Sequence, residues 1–451
     1  MNGLKLAAPH EMKLPPKGAR ASALTLTGCI LALCFAAPLV RRTSAQRPQA
    51  AAVARGPQER APLSPRDSQQ FAEAAQLAWK HFNSLWLPRT GLAMATPDYN
   101  KLTSWDIGSV LAAIYSARVL GIIDSTEYDR RISRSLKTIG ALPLYRSFAY
   151  HRMYLAHQAK MASRGGGLST RGYGYSATDI GRLLLWLRII ADADSRHTAL
   201  ATRAATRLTV DSIVAGGYMH GEDVGASGKR RRFQEGRIGY EQYAATGFSL
   251  WGADVAAALD VHRNAKPVEV GGVQLLEDTR GIDRIVSEPF FLLGLEYGWN
   301  KDFAPLALEV MRAQERRAEE TGVLTFASED AIGIPPYYFY YYCVYCTRKA
   351  FVVEVSEPGK TVPKPRWIST KTAFAWHALL GTPYTRRGID AVQAAASAKR
   401  GWSSGLFEGT NQPTYTYDVN TAAIILEAAA YARIGRPLSK WRPASLPVTG
   451  G

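Results

Sequence analysis

The 451-residue chain is 47% hydrophobic and 21% charged, a globular composition with enough length for one large core or two domains. Its net charge is +17, of which residues 1–62 supply +7 through nine Lys/Arg and two Glu. The basic remainder suits anionic polymers, lipid headgroups or acidic sugars. No nucleic-acid-binding motif accompanies this charge, so we expect no nucleic acid as a partner.

The N-terminal region has the order of an export signal. A basic region at 1–20 precedes an apolar segment at 21–40, which Arg41 and Arg42 follow. This order predicts a signal peptide or an uncleaved signal anchor, and we favour an inner-membrane anchor with the body in the periplasm or another extracytoplasmic space. Residues 41–67 are rich in Arg, Ala, Gln and Pro without apolar periodicity, which predicts a disordered linker.

The apolar pattern from 68 to 437 is mainly helical, and 438–451 is predicted to be a flexible tail. Ala/Gly-rich apolar segments alternate with more charged ones, which suit an inner and an outer layer respectively. The predicted fold is therefore an all-α (α/α) toroid of about twelve helices rather than a parallel-sheet enzyme. The predicted helices are 70–83, 105–119, 126–138, 146–161, 178–193, 197–213, 241–260, 288–298, 303–314, 370–380, 388–397 and 419–434.

One short pattern occurs three times: an acidic residue, then Ile or Val, then Gly or Asn, then an apolar run. It lies at 104–113, 177–186 and 416–425, with Asp106, Asp179 and Asp418 as the acidic residues. Recurrence of one unit predicts similar helices, and free N–H groups and the helix dipole stabilise an acid in the first turn. The three acids are either helix-start residues only or residues that also line a shared pocket.

The stretch from Phe326 to Trp367 breaks the helical pattern. Two aromatic and β-branched runs, separated by Cys346–Lys349, predict a small β-hairpin inserted at one rim of the toroid. Cys343 and Cys346 form a C-x-x-C pair without the second pair that a zinc site needs. In an oxidising compartment we favour a local disulfide, which requires a turn between the two residues.

Acidic residues with aromatic neighbours recur at helix starts and in loops. Such pairs are typical of carbohydrate sites, where rings stack on sugars and two carboxyls act as general acid and as base or nucleophile. Each acid also fits a helix-cap or loop role. The catalytic candidates, with Glu241 preferred as the general acid, are Glu241, Asp106, Glu329 and Asp330. The substrate-binding candidates are Trp105, Asp179, Tyr175, Tyr240, Tyr243, Glu288 and Glu408.

Other chemistries fit the sequence less well. The eight histidines are scattered, without an H-E-x-x-H or paired spacing for a metal site. Neither a G-x-S-x-G elbow nor a Walker A loop occurs, and the glycines within 164–175 lack the strand and spacing of a nucleotide fingerprint. We therefore expect no metal and no organic cofactor.

Four motifs follow one another along the chain: W-D-I-G-S at 105–109, Y-E-Q-Y-A-A at 240–245, S-E-D-x-I-x-x-P-P-Y-Y at 328–338, and N-T-A-A-I-I-L-E-A-A-x-Y at 420–431. Together they resemble the bacterial domain-of-unknown-function family DUF3131, from about Ser68 to Pro437. That family is regarded as glucoamylase-like, so the resemblance implies an (α/α)6 barrel that acts as a glycoside hydrolase or transglycosylase. The positions that the resemblance implies as site residues are Asp106, Glu241, Glu329 and Asp330. One departure is C-V-Y-C-T-R-K at 343–349, where a Gly-containing turn is expected.

Three hypotheses follow for the function. The leading one is an exported, membrane-tethered enzyme that cleaves or rearranges a polysaccharide, for which the resemblance implies a β-glucan or an exopolysaccharide and a link to exopolysaccharide export machinery. The second is a polysaccharide lyase on the same toroid, which Arg171, Arg237 and the many tyrosines would permit. The third is a non-catalytic glycan-binding component of an export complex.

Overall fold

The structure is a computed structural model, which describes residues 63–280, 284–335, 339–355, 360–410 and 412–442. The predictions for 1–20, for 21–40 and for the linker up to residue 62 therefore lie outside the described residues. Among the described helices, none combines the length and the apolar character needed to cross a membrane.

Thirteen α-helices occur in the described ranges. They are α1 (Pro65–Leu85), α2 (Ser104–Val119), α3 (Ser125–Ile139), α4 (Ala177–Ala193), α5 (Ser195–Ala205), α6 (Val210–Ile213), α7 (Tyr240–Ser249), α8 (Ala256–Leu259), α9 (Glu288–Glu296), α10 (Phe303–Thr321), α11 (Thr370–Leu380), α12 (Pro383–Ala391) and α13 (Val419–Ile434). Two short 3-10 helices occupy Val392–Ala395 and Leu438–Lys440.

Six of these helices form an inner layer. Helices α2, α4, α7, α9, α11 and α13 contact one another in that order, and α13 also contacts α2, so the layer closes into a ring. Helices α1, α3, α5, α8, α10 and α12 each pack against an inner helix from outside. Because outer and inner helices alternate along the chain, the inner helices run in one direction and their N-termini share one rim.

The two layers differ as the apolar pattern predicts. In the inner helix α13 every residue from Val419 to Ala432 is buried, whereas the outer helix α3 buries a single stripe that includes Tyr128 and Ile132. Gly181 in the second repeat permits close packing, because a Cβ there would lie 2.5 Å from the Ala244 Cα in the neighbouring helix. The inner ring is thus tight enough to exclude side chains at such contacts.

Twenty-four short strands in the described ranges overturn the expectation of an all-α fold. They are β1 (Trp86–Leu87), β2 (Leu92–Ala93), β3 (Lys101–Thr103), β4 (Leu144–Tyr145), β5 (Ala149–Tyr150), β6 (Met153–Leu155), β7 (Lys160–Met161), β8 (Gly174–Tyr175), β9 (Val214–Ala215), β10 (Tyr218–Val224), β11 (Arg230–Gln234), β12 (Ala265–Val270), β13 (Val273–Asp278), β14 (Arg284–Ile285), β15 (Glu329–Ala331), β16 (Phe339–Tyr342), β17 (Tyr345–Cys346), β18 (Lys349–Ala350), β19 (Val353–Glu354), β20 (Thr361–Val362), β21 (Trp367–Ser369), β22 (Ala396–Ser397), β23 (Gly401–Trp402) and β24 (Gly405–Phe407). They form nine small sheets.

The predicted helix at 146–161 is wrong, because this segment contains β5, β6 and β7. Strand β6 pairs with β3, which lies some fifty residues earlier in the chain, through Leu102 opposite Tyr154. The local spacing of apolar residues does not reveal a partner strand that lies so far away in the chain. The pairing of β6 with β3 overrides the weak helical pattern of this segment.

The strands all lie in the connections that lead from an outer helix into the next inner helix. These connections end at the N-termini of the inner helices, so the sheets gather at that rim. The connections from an inner to an outer helix, such as the single residue Asp194 between α4 and α5, are short and contain no strand. One rim of the ring is therefore elaborated with sheets, while the other is plain.

The predicted hairpin is confirmed and belongs to a larger arrangement. Strand β16 pairs with β19 and β17 with β18, across a turn in which Thr347 and Arg348 have φ of 50° and 60°. Strand β15 adds to β16, which places Glu329 opposite Tyr341. Cys343 and Cys346 form a disulfide with their Cα atoms 5.8 Å apart, across a bend at Val344.

The start of the predicted tail packs against the ring. Leu438 is buried, and the hydroxyl of Tyr115 in α2 donates hydrogen bonds to the Leu438 and Trp441 carbonyl oxygens. The Trp441 ring also packs edge-on against Tyr115, with ring centroids 5.2 Å apart. Residues 443–451 lie outside the described part of the chain.

Candidate active site

The strand-bearing rim carries most of the predicted site residues. Strand β15 brings Glu329 and Asp330 there, on opposite faces of the strand because successive side chains alternate. The N-termini of α2, α7 and α9 bring Trp105, Tyr240 and Glu288 to the same place. The structure thus joins residues from four separate segments of the chain into one cluster.

Glu329 is the most accessible acid of this cluster, with 19% of its side chain exposed. Its Oε2 accepts a hydrogen bond of 2.7 Å from the Tyr240 hydroxyl and lies 3.9 Å from Nη2 of Arg237. Burial raises the pKa of Glu329, and the nearby Glu288 charge raises it further, while Arg237 opposes both. A carboxyl in this setting holds a proton at higher pH than usual and can donate it.

Asp330 points away from Glu329 into the protein. It accepts hydrogen bonds from Trp367 Nε1 at 2.7 Å and from the Ser369 hydroxyl at 3.2 Å, and Lys371 Nζ lies 3.4 Å away. Burial raises the pKa of Asp330 to about 7, although Lys371 works in the opposite direction. Because its side chain is enclosed by these partners, Asp330 supports β15 rather than meeting a polymer.

Glu288 and Lys371 form a buried ion pair at the centre of the rim. Burial alone would lower the pKa of Lys371, but Glu288 and Asp330 outweigh it and raise that pKa. Oε1 of Glu288 accepts a 2.9 Å hydrogen bond from the Asn420 amide. The Asn420 Oδ1 in turn accepts from Trp105 Nε1 at 3.3 Å, which ties α9, α11, α13 and α2 together.

Aromatic rings cluster around Tyr240, the hydrogen-bond partner of Glu329. The ring centroid of half-buried Trp105 lies 5.6 Å from that of Tyr240 and 5.5 Å from that of Tyr243. The guanidinium of Arg237 lies over Tyr240 at 4.3 Å and over Tyr341 at 5.3 Å. Rings and planar guanidinium groups beside a carboxyl are suited to stack on a sugar and hydrogen-bond its hydroxyls.

Asp106 and Asp179 occupy the same position in two helices, as their repeated motif predicts. Each is the third residue of its helix, and the N-cap residues Thr103 and Ser176 donate a side-chain hydrogen bond to them at 2.9 Å. Burial raises the pKa of Asp106 to about 6 and that of Asp179 to about 7. The third repeat differs, because α13 begins at Val419 and the acid before it, Asp418, is therefore the N-cap residue itself.

These charges follow one another around the rim. Electrostatic interactions link Glu329 to Arg237, Arg237 to Glu235, Glu235 to Asp179, Asp179 to Asp106, Asp106 to Asp418, Asp418 to Lys371, and Lys371 to Glu288. The order matches the order of the inner helices. The acids therefore surround the mouth of the ring, and the pocket interpretation of the repeated acids fits this placement.

Glu241 lies apart from that cluster. Its Oε1 accepts hydrogen bonds from Gln234 at 2.9 Å and from Arg280 Nη1 at 3.1 Å, and Arg280 also binds Asp278. Burial raises the pKa of Glu241 while Arg280 opposes this. One helical position, about 100°, separates Glu241 from Tyr240, which is why the neighbour faces Glu329 and Glu241 does not.

Three other predicted binding residues have partners elsewhere. The buried Tyr175 ring packs on Phe148, with ring centroids 5.4 Å apart. The Tyr243 hydroxyl bonds to Glu296, deeper inside the ring. Glu408 receives hydrogen bonds from Arg317, Arg366 and Tyr342, an arrangement that joins β24 to the hairpin.

Sequence reasoning missed Lys371, Asn420 and Arg182, although each leaves a signal. Lys371 is a cation in the first turn of an apolar helix, where the helix dipole disfavours positive charge. Asn420 stands where the other repeats have Gly108 and Gly181. Arg182 interrupts the apolar run of the second repeat, and such a buried charge needs partners.

A cavity of about 570 Å³ lies elsewhere on the molecule. It is bounded by α1 and the C-terminal ends of α2 and α13, with Phe71, Leu120 and Ile434 among its lining residues. None of the predicted site residues lines it. We therefore place the candidate site at the strand-bearing rim, where the titratable groups gather.

The raised pKa values predict the direction in which the stability of the protein changes with pH. The carboxyl pKa is about 7 for Asp330 and Asp179 and about 6 for Asp106, against 3.8 when unperturbed. Because the fold favours the protonated form of these acids, their contribution to the free energy of unfolding is complete below the unperturbed pKa of 3.8. That contribution is lost as the pH rises through 6–7. We expect the melting temperature to fall between pH 5 and 8.

Thermal unfolding monitored at constant ionic strength across that interval checks this expectation. The interval lies above the range in which Glu127, with its pKa lowered to about 2 chiefly by its hydrogen bond from Arg130, would titrate. The Asp179→Asn variant should show a smaller fall than the wild type. A melting temperature that rises through the interval would contradict the assignment.

Known proteins share this fold. A glucoamylase-like protein from Bacteroides caccae is 13% identical, with a TM-score of 0.60 over 82% of this chain and 94% of that one. An endo-β-1,2-glucanase from Chitinophaga pinensis, solved with sophorotriose and glucose, is 11% identical, with a TM-score of 0.58 over 83% of this chain and 94% of its own. An endo-β-1,2-glucanase from Talaromyces funiculosus, solved with β-1,2-glucan, is 11% identical, with a TM-score of 0.52 over 81% of this chain and 85% of that one.

These likenesses show the fold, a glucoamylase-like toroid of paired helices. No curated protein matches the chain in sequence. The model of the protein family of unknown function DUF3131 matches residues 73–435, which is most of the chain. The predicted family is thereby confirmed, and the protein belongs to DUF3131.

Proposed function

We propose that this protein is a glycoside hydrolase or transglycosylase that acts on a glucan at the strand-bearing rim. One observation carries the proposal: the partly exposed Glu329 carboxyl accepts a 2.7 Å hydrogen bond from Tyr240 in a setting that raises its pKa, beside the half-buried Trp105 ring. A proton-donating carboxyl next to such rings is what cleavage of a glycosidic bond requires. The toroid that this chain shares with β-1,2-glucanases supports the same reading.

Glu329 takes the role of general acid in this proposal. It would give its proton to the glycosidic oxygen as the bond to the anomeric carbon breaks, so that the leaving sugar departs as an alcohol. Tyr240 orients the carboxyl by its hydrogen bond. Arg237 then stabilises the carboxylate that remains.

Asp179 takes the role of base. Of the three repeated acids at the rim, Asp106 and Asp418 are only 5% and 8% exposed, whereas Asp179 is half-buried. Its Oδ1 accepts a hydrogen bond from the Ser176 hydroxyl, which fixes the group. As a carboxylate, the form it takes above its pKa of about 7, it would take a proton from the water, or from the acceptor sugar hydroxyl, that attacks the anomeric carbon.

Glu241, the acid preferred from sequence, is proposed as a positioning residue. Its salt bridge to Arg280 joins the first turn of α7 to β13, which carries Asp278. Tyr240 begins the same helix and contacts Glu329. The bridge would therefore act on catalysis only through the placement of Tyr240.

The lyase alternative receives less support from this geometry. A tyrosine base must lose its proton at working pH, but burial and the Glu329 and Glu288 charges raise the pKa of Tyr240 well above its usual value. Tyr240 instead donates its proton in a hydrogen bond to Glu329. A purely binding role would leave the raised pKa of Glu329 without a use.

A linkage screen tests the proposed function. The full-length protein would be incubated with β-1,2-, β-1,3-, β-1,4- and β-1,6-glucans, α-glucans and acidic exopolysaccharides, and products would be identified by mass spectrometry. We expect new saccharides from the β-1,2-glucan. Unsaturated uronate products would support the lyase instead, and retention of a polymer without cleavage would support the binding component.

We further propose that the six inner and six outer helices constitute an (α/α)6 barrel. The outer helix α8 has only four residues, so one of the six pairs would be strongly shortened. The elaborated rim would then be the substrate face of the barrel.

We also propose that residues 21–40 tether the enzyme to the inner membrane, with the barrel outside the cytoplasm and near exopolysaccharide export machinery. The proposal rests on the apolar segment and its basic flanks. Deletion of residues 1–62 should move the protein from the membrane fraction to the cytoplasm. Equal distribution of both forms would contradict the tether.

A further inference from the structure

Tyr415 combines two features that the fold itself does not require. Its side chain is 51% exposed, one of few large hydrophobic residues in the described ranges with such exposure. Its φ is +64°, in the left-handed region that a bulky residue rarely adopts. Glycine or asparagine would occupy this backbone position with less strain, so the ring is kept at a cost to stability.

The backbone on both sides of Tyr415 is fixed. Thr414 donates its N–H to the Gly405 carbonyl at 2.9 Å, and Ser404 donates to the Thr416 carbonyl at 2.9 Å. The Tyr415 hydroxyl donates to Oε1 of Gln412 at 3.0 Å. The ring is therefore held in one orientation and presented to solvent, which lowers the entropy that a ligand would have to remove.

The backbone of Tyr415 lies beside the segment that follows Glu329 and Asp330. Gly333, three residues after Asp330, donates its N–H to the Thr414 carbonyl at 2.8 Å, and a Cβ on Gly333 would lie 3.0 Å from the Tyr415 Cβ. Asp418, three residues later, belongs to the charged rim. The loop of Tyr415 thus spans from the strand of Glu329 to the start of α13.

We infer that Tyr415 is a sugar-stacking platform that binds a glucan residue next to the cleavage site, an inference that rests on the proposed function. A half-exposed aromatic ring offers an apolar face to the axial C–H groups of a glucose unit, and fixing it in advance increases its contribution to binding. The positive φ is the structural cost of holding a bulky ring at this position. The platform sets where the polymer lies, and Glu329 does the chemistry.

Substitutions at Tyr415 separate this role from a structural one. In the full-length protein, Tyr415→Gly should raise KM, and the Kd measured by calorimetry, about tenfold, since loss of one stacked ring is worth about this factor. Its melting temperature should stay equal or rise, because glycine relieves the backbone. Tyr415→Phe should lose much less affinity than Tyr415→Gly, because it keeps the stacking ring and removes only the hydroxyl that orients it. Ala159→Gly, at another non-glycine residue with positive φ, 53°, is the matched control for strain relief and should leave affinity unchanged.

The probe is a linear oligosaccharide of the linkage that the wild type cuts or retains in the screen. Wild-type affinity in Tyr415→Gly would overturn the platform and leave the proposed function standing. An equal loss in Tyr415→Phe would also overturn it, because the hydroxyl would then be the essential group. If the wild type binds none of the polymers, the proposed function falls and the platform falls with it.

Discussion

Replacing Glu329 with Gln is expected to lower kcat by roughly 10²–10⁴-fold with little change in KM, the range typical of removing a general acid. The amide keeps the shape of the side chain, and its carbonyl can still accept the Tyr240 hydrogen bond seen at 2.7 Å. It cannot donate a proton to the leaving sugar. Steady-state rates of saccharide release from the polymer found in the linkage screen measure this effect.

Glu241→Gln is the matched control, because it makes the same chemical change at a buried carboxyl with hydrogen-bond partners. We expect less than a tenfold loss in kcat, together with a lower melting temperature, since the amide no longer neutralises Arg280. If Glu241→Gln instead abolishes activity while Glu329→Gln retains it, Glu241 is the acid that the sequence first suggested. Equal activity of both variants and the wild type would remove both carboxyls from the mechanism.

Replacing Arg182 with Met is expected to have the largest effect on stability, a loss of about 3–5 kcal/mol in the free energy of unfolding. The guanidinium is fully buried inside the ring, 3.0 Å from Glu427, 3.4 Å from Glu296 and 4.0 Å from Glu288. Without it, Glu296 and Glu427 lose the cation beside them and Glu288 keeps only Lys371, so these buried carboxyls must either carry unpaired charge or take up protons. Urea denaturation followed by tryptophan fluorescence measures the change.

Two further variants define the origin of that loss. Arg188→Met, six residues further along α4, removes an exposed salt bridge to Asp192 and should cost no more than about 1 kcal/mol. Glu427→Gln should cost less than Arg182→Met, because burial and Glu296 raise the pKa of Glu427 and so favour its neutral form in the fold. A stable Arg182→Met protein, or a Glu427→Gln protein as unstable as Arg182→Met, would refute the proposed charge network.

Features encoded by local spacing were predictable from the sequence. The apolar inner and charged outer helices follow from a period of 3.6 residues, and the repeated acids at helix starts follow from the free N–H groups there. The hairpin followed from two β-rich runs around a short turn. These features depend on residues within a few positions of one another, so the chain displays them before it folds.

The composition of the candidate site was predictable only in part. Aromatic residues beside acids led to Trp105, Tyr240 and Glu329, which the structure brings together at one rim. The same reasoning could not separate Glu241 from Tyr240, since one step along a helix turns a side chain by about 100° toward different neighbours. Only the tertiary contacts of the two side chains, Tyr240 with Glu329 and Glu241 with Arg280, decide which of them faces the site.

By itself the sequence therefore determined the inner and outer helices, the family and the types of residue at the rim. Tertiary structure alone decided the small sheets and the charge network of Arg182, Lys371 and Asn420. Those contacts join residues far apart in the chain, such as Asn420 with Glu288 and β3 with β6. Their geometry exists only once the ring closes, because closure sets the distances between helices that no local pattern encodes.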